Sequence, residues 1–242
     1  MATRKKTAPK GKKSSKSSPS LKKRARRWAL RGLALAFLLA VLLVLLFRFV
    51  NPPTGFYMFS ESRRLGGVQR DWVPLEQIAP VMARAAVAAE DANFCNHWGF
   101  DMQAIRTAIE NGSARGASTI SQQTVKNVYL WHGRSWLRKA LEAGMTPLVE
   151  TLWPKRRIIE VYLNVAEFDE GVFGVGAAAP HYFGVAAADL SATQAARLAA
   201  ILPDPKERSA SRPGDFTRKR TAQIMDGAAT IRADGRAACF ES

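Results

Sequence analysis

The sequence predicts a mainly α-helical protein, with a helical domain behind a single N-terminal transmembrane helix. Several segments of the C-terminal part repeat apolar residues with a period near 3.6, which is typical of amphipathic helices. One earlier stretch, residues 32–47, is apolar and free of charge. No useful length of sequence alternates apolar and polar residues as a half-buried strand does. With 242 residues, the chain is long enough for one good-sized core and an appendage.

The positive charge is concentrated near the N-terminus. The net charge is +16, but residues 1–60 hold 14 of the 36 Lys and Arg residues and no Asp or Glu. The rest of the chain has 22 basic and 20 acidic residues, a net charge of +2. Because a nucleic-acid-binding domain should carry its own basic face, this distribution argues against nucleic acid as a partner.

Residues 1–27 are predicted to be a disordered basic tail in the cytoplasm. They are rich in Lys, Arg, Ser and Pro and nearly lack large apolar residues, so they cannot bury enough surface to fold. The high density of positive charge before an apolar run keeps that side of a membrane protein in the cytoplasm. The third segment, residues 51–242, is therefore predicted to be an extracytoplasmic domain.

Residues 28–50 are predicted to be the membrane anchor between these two parts. The uncharged run is slightly short of the roughly 20 residues that a span needs. Arg31 and Arg48 flank it and can extend to the two interfaces, where Trp28 and Phe49 also suit an aromatic belt. A cleaved signal peptide is the alternative, but it should end at a small-residue cleavage site, and this run ends Phe-Arg-Phe-Val-Asn-Pro-Pro.

Helices are predicted in the outer domain by apolar periodicity and by capping residues. Gly144 and Pro147 are expected to kink the fourth of these helices, and Ser191 to begin a capping box for the last. Ser118 is the expected N-cap of the third. Residues 51–74 and 206–242 give no clear pattern. The predicted helices are Leu75–Ala89, Met102–Asn111, Thr119–Leu130, Leu137–Leu152, Pro154–Glu167 and Ala192–Leu202.

The segment Glu90–Asp101 places two adjacent carboxylates and a histidine directly after the first of these helices. Carboxylates at the end of a hydrophobic helix are costly to bury unless they are paired or functional. Taken alone, the segment has two interpretations: a solvated helix end, or part of a functional site.

Two polar clusters follow. Helical spacing puts Thr119, Gln123 and Lys126 on one face, with Gln122 beside them, which suits a sugar and a phosphate or a solvated surface equally. The second cluster lies in the range Arg134–Glu142. Its cations suit a pyrophosphate, whereas the simpler interpretation is a weak surface salt bridge between an i, i+4 pair of that range.

The two cysteines, Cys95 and Cys239, form neither a disulfide framework nor a metal site by their number. A bridge between them is possible in an oxidising compartment, but two free thiols are the simpler expectation. His132 and His181 belong to neither polar cluster and are interpreted as packing or surface residues.

Four spaced patterns resemble the peptidoglycan glycosyltransferases of family 51. They are E-D-x-x-F-x-x-H-x-G-x-D at Glu90–Asp101, G-x-S-T-I-x-Q-Q-x-x-K-N at Gly116–Asn127, R-S-x-x-R-K-x-x-E at Arg134–Glu142 and K-x-x-I-x-E-x-Y-L-N at Lys155–Asn164. A fifth segment, Gln194–Pro205, is also similar. The resemblance covers residues 75–205 and is closest to the monofunctional members, because no transpeptidase domain has room to follow.

The resemblance implies a lysozyme-like helical fold and a glycosyltransferase that polymerises lipid II, an inverting single displacement that releases undecaprenyl pyrophosphate. Its general base matches Glu90 and its second catalytic carboxylate matches Glu142. The phosphate-binding positions match Lys126, Arg134, Arg138 and Lys139. The positions that line or support the cleft match Asp91, Phe94, His97, Ser118, Thr119, Gln122, Gln123 and Asn127.

The resemblance also implies partners and a location. A divalent cation, Mg²⁺ or Mn²⁺, is expected, and no organic cofactor. The partners are lipid II, the nascent glycan strand and the membrane, with penicillin-binding and divisome proteins as further candidates. The location is the bacterial inner membrane, with the catalytic domain in the periplasm. Apolar residues of the range 68–81 are expected to touch the bilayer.

Two other functions stay open. A lytic transglycosylase or lysozyme shares the broad fold and cleaves glycan with one catalytic carboxylate, but it has no need of a cationic cluster for phosphate. A catalytically silent membrane scaffold would need neither feature.

Overall fold

The computed structural model describes residues 21–110, 112, 118–133 and 135–241. The chain divides after Leu42 into two compact units.

The first unit contains most of helix α1, Leu21–Phe49. An 18-residue window of this helix has a mean hydropathy of 2.7 and is 11% buried, so the helix is long and apolar enough to cross a membrane. At 1.5 Å per residue, its 29 residues extend about 43 Å, more than the hydrocarbon core of a bilayer. The helix begins at Leu21 rather than Trp28. The expectation of disorder up to Arg27 is therefore wrong for the described end of the tail, where good helix formers extend an existing helix at little cost.

The second unit is built of helices with three short strands. Residues 43–49 of α1 belong to it, and the Trp153 indole donates to the Val44 carbonyl at 2.7 Å. The elements that follow are α2 Phe56–Leu65, β1 Gln69–Arg70, α3 Pro80–Glu90, α4 Met102–Glu110, α5 Ile120–Tyr129, α6 Trp136–Leu152, α7 Lys155–Val165, β2 Glu167–Asp169, β3 Val172–Phe173, α8 Val175–Phe183, α9 Ala192–Ile201, α10 Asp215–Ala233 and α11 Ala238–Glu241, with single 3₁₀ turns at Leu75–Gln77, Phe94–Asn96 and Ala187–Asp189.

The predicted mainly helical fold is confirmed, with corrections at its edges. The first predicted helix starts at Pro80 instead of Leu75, because Ala79 precedes a proline and takes an extended backbone, φ −51° and ψ 125°. Helix α6 runs without a break through Gly144 and Pro147. The regions without a clear pattern contribute α2, α10 and α11.

The three strands, which no sequence pattern predicts, form one small sheet in the order β1-β3-β2. Strand β1 runs parallel to β3, with Gln69 opposite Val172, and β2 runs antiparallel to β3, with Glu167 opposite Phe173. Strands of two or three residues are too short to show an alternating pattern.

The core holds the site-bearing helices in two groups. Helices α3, α9 and α10 pack against one another, while α5 packs against α6 and α7. Helix α7 is buried along most of its length, with Ile158, Tyr162 and Leu163 almost fully enclosed. Leu75 and Ile78 also lie in the core, so the expected bilayer contact at residues 68–81 is not supported. Trp131, Trp136, Leu137 and Leu141 are among the large apolar side chains of this unit that are exposed.

Cys95 and Cys239 form a disulfide, so the expectation of two free thiols is wrong. The bond joins the segment after α3 to α11, at a sequence separation of 144 residues. Phe94 and Phe240 pack beside it with ring centroids 6.2 Å apart. The sequence has no local signal for the pairing, because it depends on how α10 and α11 return to α3.

Candidate active site

Glu90 is the last residue of α3, and its carboxylate faces α5. Its Oε2 accepts a hydrogen bond from the Gln123 amide at 2.7 Å. Burial raises the pKa of Glu90 above its ordinary value, and this outweighs the hydrogen bond from Gln123, which lowers it. The residue borders a cleft of about 270 Å³ that Asp91, Asp101 and Ser118 also line. A carboxyl group with a raised pKa beside a cleft is suited to acid–base work near neutral pH.

The side chains of Asp91 and His97 form a buried pair next to Glu90 in the chain. His97 Nε2 lies 2.8 Å from Asp91 Oδ1, and His97 Nδ1 accepts from the Gly99 amide. Because Nδ1 accepts a hydrogen bond, Nε2 carries the hydrogen atom and donates a hydrogen bond to Asp91. The second oxygen of Asp91 accepts from the Ile120 amide at 3.0 Å, which ties the end of α3 to the start of α5. Both residues therefore hold the backbone around the cleft in place.

Three more of the predicted cleft residues are structural in the same way. Thr119, not Ser118, is the N-cap of α5, and it forms a capping box with Gln122. The Thr119 hydroxyl also donates to the Gly99 carbonyl at 2.7 Å. Phe94 is fully buried, with the Lys155 ammonium 4.4 Å from its ring centroid. These side chains fix the start of α5 and the segment after α3, whereas Ser118 is exposed at the cleft.

A cationic cluster lies on α5 and α6. Glu142 is only 3% exposed, and it is held by Arg138 at 2.6 Å and by Lys139. The i, i+4 pair of Arg138 and Glu142 is therefore not a surface salt bridge, and that simpler interpretation is wrong. Lys126 lies within electrostatic range of both carboxylates: burial lowers its pKa, while Glu142 and then Glu90 raise it. The Lys139 ammonium also lies 3.4 Å from the Ser118 hydroxyl.

A second cavity, of about 390 Å³, is lined by Gln123 and Lys126. Asn127 lines it and lies 3.1 Å from His132, whose ring stacks on Tyr57 with centroids 3.5 Å apart. The interpretation of His132 as a packing residue fits this contact. His181 is exposed and pairs with Asp169 at 3.0 Å. Arg134, a predicted phosphate ligand, lies outside the described residues, as do Gly116 and Ala117 of the second pattern.

The predicted divalent cation can be compared with the carboxylates of the site. Among the described residues, no group of three or more His, Cys, Asp or Glu side chains is placed to hold a metal. Both oxygens of Glu142 are taken by the cations of Arg138 and Lys139, and these charges repel a divalent ion. Glu142 therefore does not fit as a ligand of the expected Mg²⁺ or Mn²⁺, and the cation itself stays a prediction.

Sequence reasoning missed two sets of supporting residues. Lys155 donates to the His97 carbonyl at 2.9 Å and to Glu150 at 2.8 Å, and Ser121 donates to the same carboxylate. Arg220 of α10 donates to the Ala89 carbonyl at 2.9 Å. The family-like pattern beginning at Lys155 signalled the first set, but nothing in the sequence placed α10 beside Glu90.

The fold and the site together define a class of protein: a helical enzyme with a partly buried acid–base carboxylate beside a cationic cluster that suits an anionic substrate. Residues 59–229 match the transglycosylase family. The chain is 60% identical over 235 residues to a biosynthetic peptidoglycan transglycosylase of Jannaschia sp. (strain CCS1), covering 97% of this chain and 98% of the relative.

Further relatives of the chain carry the same name. Proteins named biosynthetic peptidoglycan transglycosylase from Caulobacter vibrioides and Rhodospirillum centenum are 47% and 49% identical, covering 88% and 87% of this chain and 97% and 92% of their own lengths. The chain therefore belongs to the transglycosylase family.

Proposed function

We propose that this protein polymerises the glycan strands of peptidoglycan by transferring a growing lipid-linked chain to the 4-hydroxyl group of lipid II. The observation that supports this most is that the cleft bordered by Glu90 reaches the cluster of Lys126, Arg138, Lys139 and Glu142. Ser118 lines this cleft, and its hydroxyl lies 3.4 Å from the Lys139 ammonium. The attacking 4-hydroxyl group needs a base, and the leaving diphosphate needs positive charge beside it.

Glu90 is the proposed base. Its carboxylate takes the proton of the 4-hydroxyl group while that oxygen bonds to the anomeric carbon of the growing chain. The bond from that carbon to the diphosphate oxygen breaks, and the bonding electrons leave with undecaprenyl pyrophosphate, so the anomeric centre inverts in one displacement. The raised pKa of Glu90 makes it a better proton acceptor at neutral pH than an ordinary carboxylate.

The cationic cluster is the proposed diphosphate site. Ammonium and guanidinium groups make charge-assisted hydrogen bonds to phosphate, and they stabilise the charge that develops as the diphosphate leaves. Glu142 holds Arg138 and Lys139 in place, and in this role it acts on the substrate through them. The expected divalent cation has no step in this proposal, because the geometry at Glu142 does not fit one.

The proposed location is the bacterial inner membrane, with the domain in the periplasm. Helix α1 fits a membrane anchor, and a lipid-linked donor and acceptor lie in the same membrane. The Cys95–Cys239 disulfide supports the outward orientation, because disulfides persist in oxidising compartments and are rare in the cytosol. The exposed apolar side chains of Trp136 and Leu137 are better candidates for bilayer contact than residues 68–81.

Incubation with two substrates tests this function. With lipid II, the protein in detergent or liposomes should form polymer that a muramidase digests, and purified glycan should stay intact. Release of fragments from the glycan without polymer formation would favour a lytic enzyme. Inactivity in both assays, with a folded protein, would favour a scaffold.

A further inference from the structure

Helix α10 lies outside the five family-like patterns, yet it contacts the end of α3 that carries the proposed base. Arg220 reaches from α10 to α3, and its guanidinium donates to the carbonyl of Ala89 at 2.9 Å. The last carbonyls of a helix have no partner within it, and a cation at that end is favourable. Glu90 follows Ala89 directly, so the bond fixes the peptide from which Glu90 projects.

The C-terminal region holds the other side of Glu90 as well. Arg236 donates to the carbonyl of Ala92 at 3.1 Å, and the disulfide fixes Cys95. These contacts restrain the segment that follows the base, while Arg220 restrains the turn that precedes it. Arg220 differs from the others in that its charge also acts on the Glu90 carboxylate.

The charges that face Glu90 come from several elements. Asp91 on the same segment raises the pKa of Glu90, and Lys126 on α5 and Arg220 on α10 lower it, after the larger effects of burial and the hydrogen bond from Gln123. Tyr162 of α7 is a neutral neighbour, because burial raises its pKa and the negative charges of Glu90 and Asp91 raise it further. Arg220, like Lys126, is thus a cation that opposes the effect of burial on the pKa of Glu90.

We propose that Arg220 is a positioning residue for Glu90: its guanidinium holds the last turn of α3, and its charge favours the ionised carboxylate that accepts the proton. The inference rests on the proposed function, with Glu90 as the base. It assigns a role in the reaction to a helix that the family-like patterns do not include.

The test compares Arg220→Gln, Arg220→Met and Arg220→Lys in the full chain, with kcat and KM for lipid II measured across pH. Both neutral variants should move the acidic limb of kcat/KM to higher pH. They should lose roughly threefold to tenfold of the rate at about pH 6 and regain much of it at about pH 8.5, with KM nearly unchanged. Arg220→Lys keeps the charge, so its acidic limb of kcat/KM should stay at the pH of the wild type. Lys219→Gln, which removes a neighbouring exposed charge, is the matched control and should behave as the wild type.

Two results would overturn the inference. One is an unchanged acidic limb in both neutral variants, and the other is an equal loss in all three variants at every pH, which would make Arg220 purely structural. Thermal unfolding identifies any variant that fails to fold, and the two neutral substitutions keep the test open if one does. If the wild-type protein forms no polymer, the proposed function fails, which is distinct from a failure of the role of Arg220.

Discussion

Asp91 shows how a single carboxylate joins the chemistry of the site to its construction. Both of its oxygens are used, one by His97 and the other by the amide that begins α5. Its side chain is 1% exposed, so water cannot replace either partner. The adjacent Glu90 accepts a side-chain hydrogen bond from Gln123 and borders a cleft. Two neighbouring acids therefore have different tasks because their surroundings differ.

We expect Asp91→Asn to destabilise the protein by about 2 to 4 kcal/mol. The amide has only one acceptor oxygen, so either the His97 N–H or the Ile120 N–H loses its partner in a buried place. Urea unfolding followed by circular dichroism measures the loss. Asp226→Asn, at an exposed position on α10, is the control and should change stability little. Equal stability of Asp91→Asn and the wild type would show that the pair contributes nothing to the fold.

Helix α5 shows how one element builds the site from local rules. Its capping box fixes where the helix begins, and the phase of the helix then puts Gln123 against Glu90 and Lys126 where the charges of both Glu90 and Glu142 act on it. Moving the cap by one residue would rotate these side chains by about 100° around the helix axis. The position of the cap therefore matters for function as well as for stability.

Thr119→Ala should cost about 2 kcal/mol of stability and also lower kcat. It removes the cap and the bond to the Gly99 carbonyl together, at the upper end of what a cap is worth. Ser191→Ala is the matched control, because Ser191 caps α9 with the same kind of box far from the carboxylates in sequence and with an exposed serine. It should cost about 1 kcal/mol and leave kcat unchanged. A similar loss of kcat in both variants would contradict the special role of the α5 cap.

At the scale of the whole molecule, the C-terminal region closes on the segment that follows α3. The disulfide, the Phe94–Phe240 contact and the bonds of Arg220 and Arg236 all join the two regions. Helix α10 also packs along α3 and α9. Residues far away in the sequence thus hold the segment that carries Glu90 in place.

Replacement of both cysteines by serine should lower the free energy of unfolding by about 2 to 5 kcal/mol, because a crosslink across a long loop restricts the unfolded chain. Polymer formation at low temperature should stay close to that of the wild type, since neither sulfur lies in the cleft. Thermal unfolding with and without a reducing agent measures the effect. The double variant should not respond to the reducing agent, and an unresponsive wild type would show that the bond does not form.

The limits of sequence prediction follow from the same scales. Apolar periodicity and Ser191 predicted α9 well, because these signals are local. Ser118 and Thr119 are adjacent and both can cap, but Gln122 stands three residues after Thr119 and completes a capping box with it, a local signal that favours Thr119 over the predicted Ser118. Arg220 and the disulfide depend on long-range packing of α10 and α11, for which the sequence offered no pattern. The family-like patterns identified the carboxylates and the cations, but not which residues touch the cleft and which support it.

Glu90→Gln tests the central claim most directly, with lipid II as substrate and polymer formation as the measurement. The substitution keeps the size of the side chain and removes the proton acceptor, so the rate should fall by at least about a hundredfold while the protein stays folded and binds lipid II. Glu110→Gln, at an exposed position on α4, should polymerise normally. Polymer formation by Glu90→Gln at the wild-type rate would show that Glu90 is not the base.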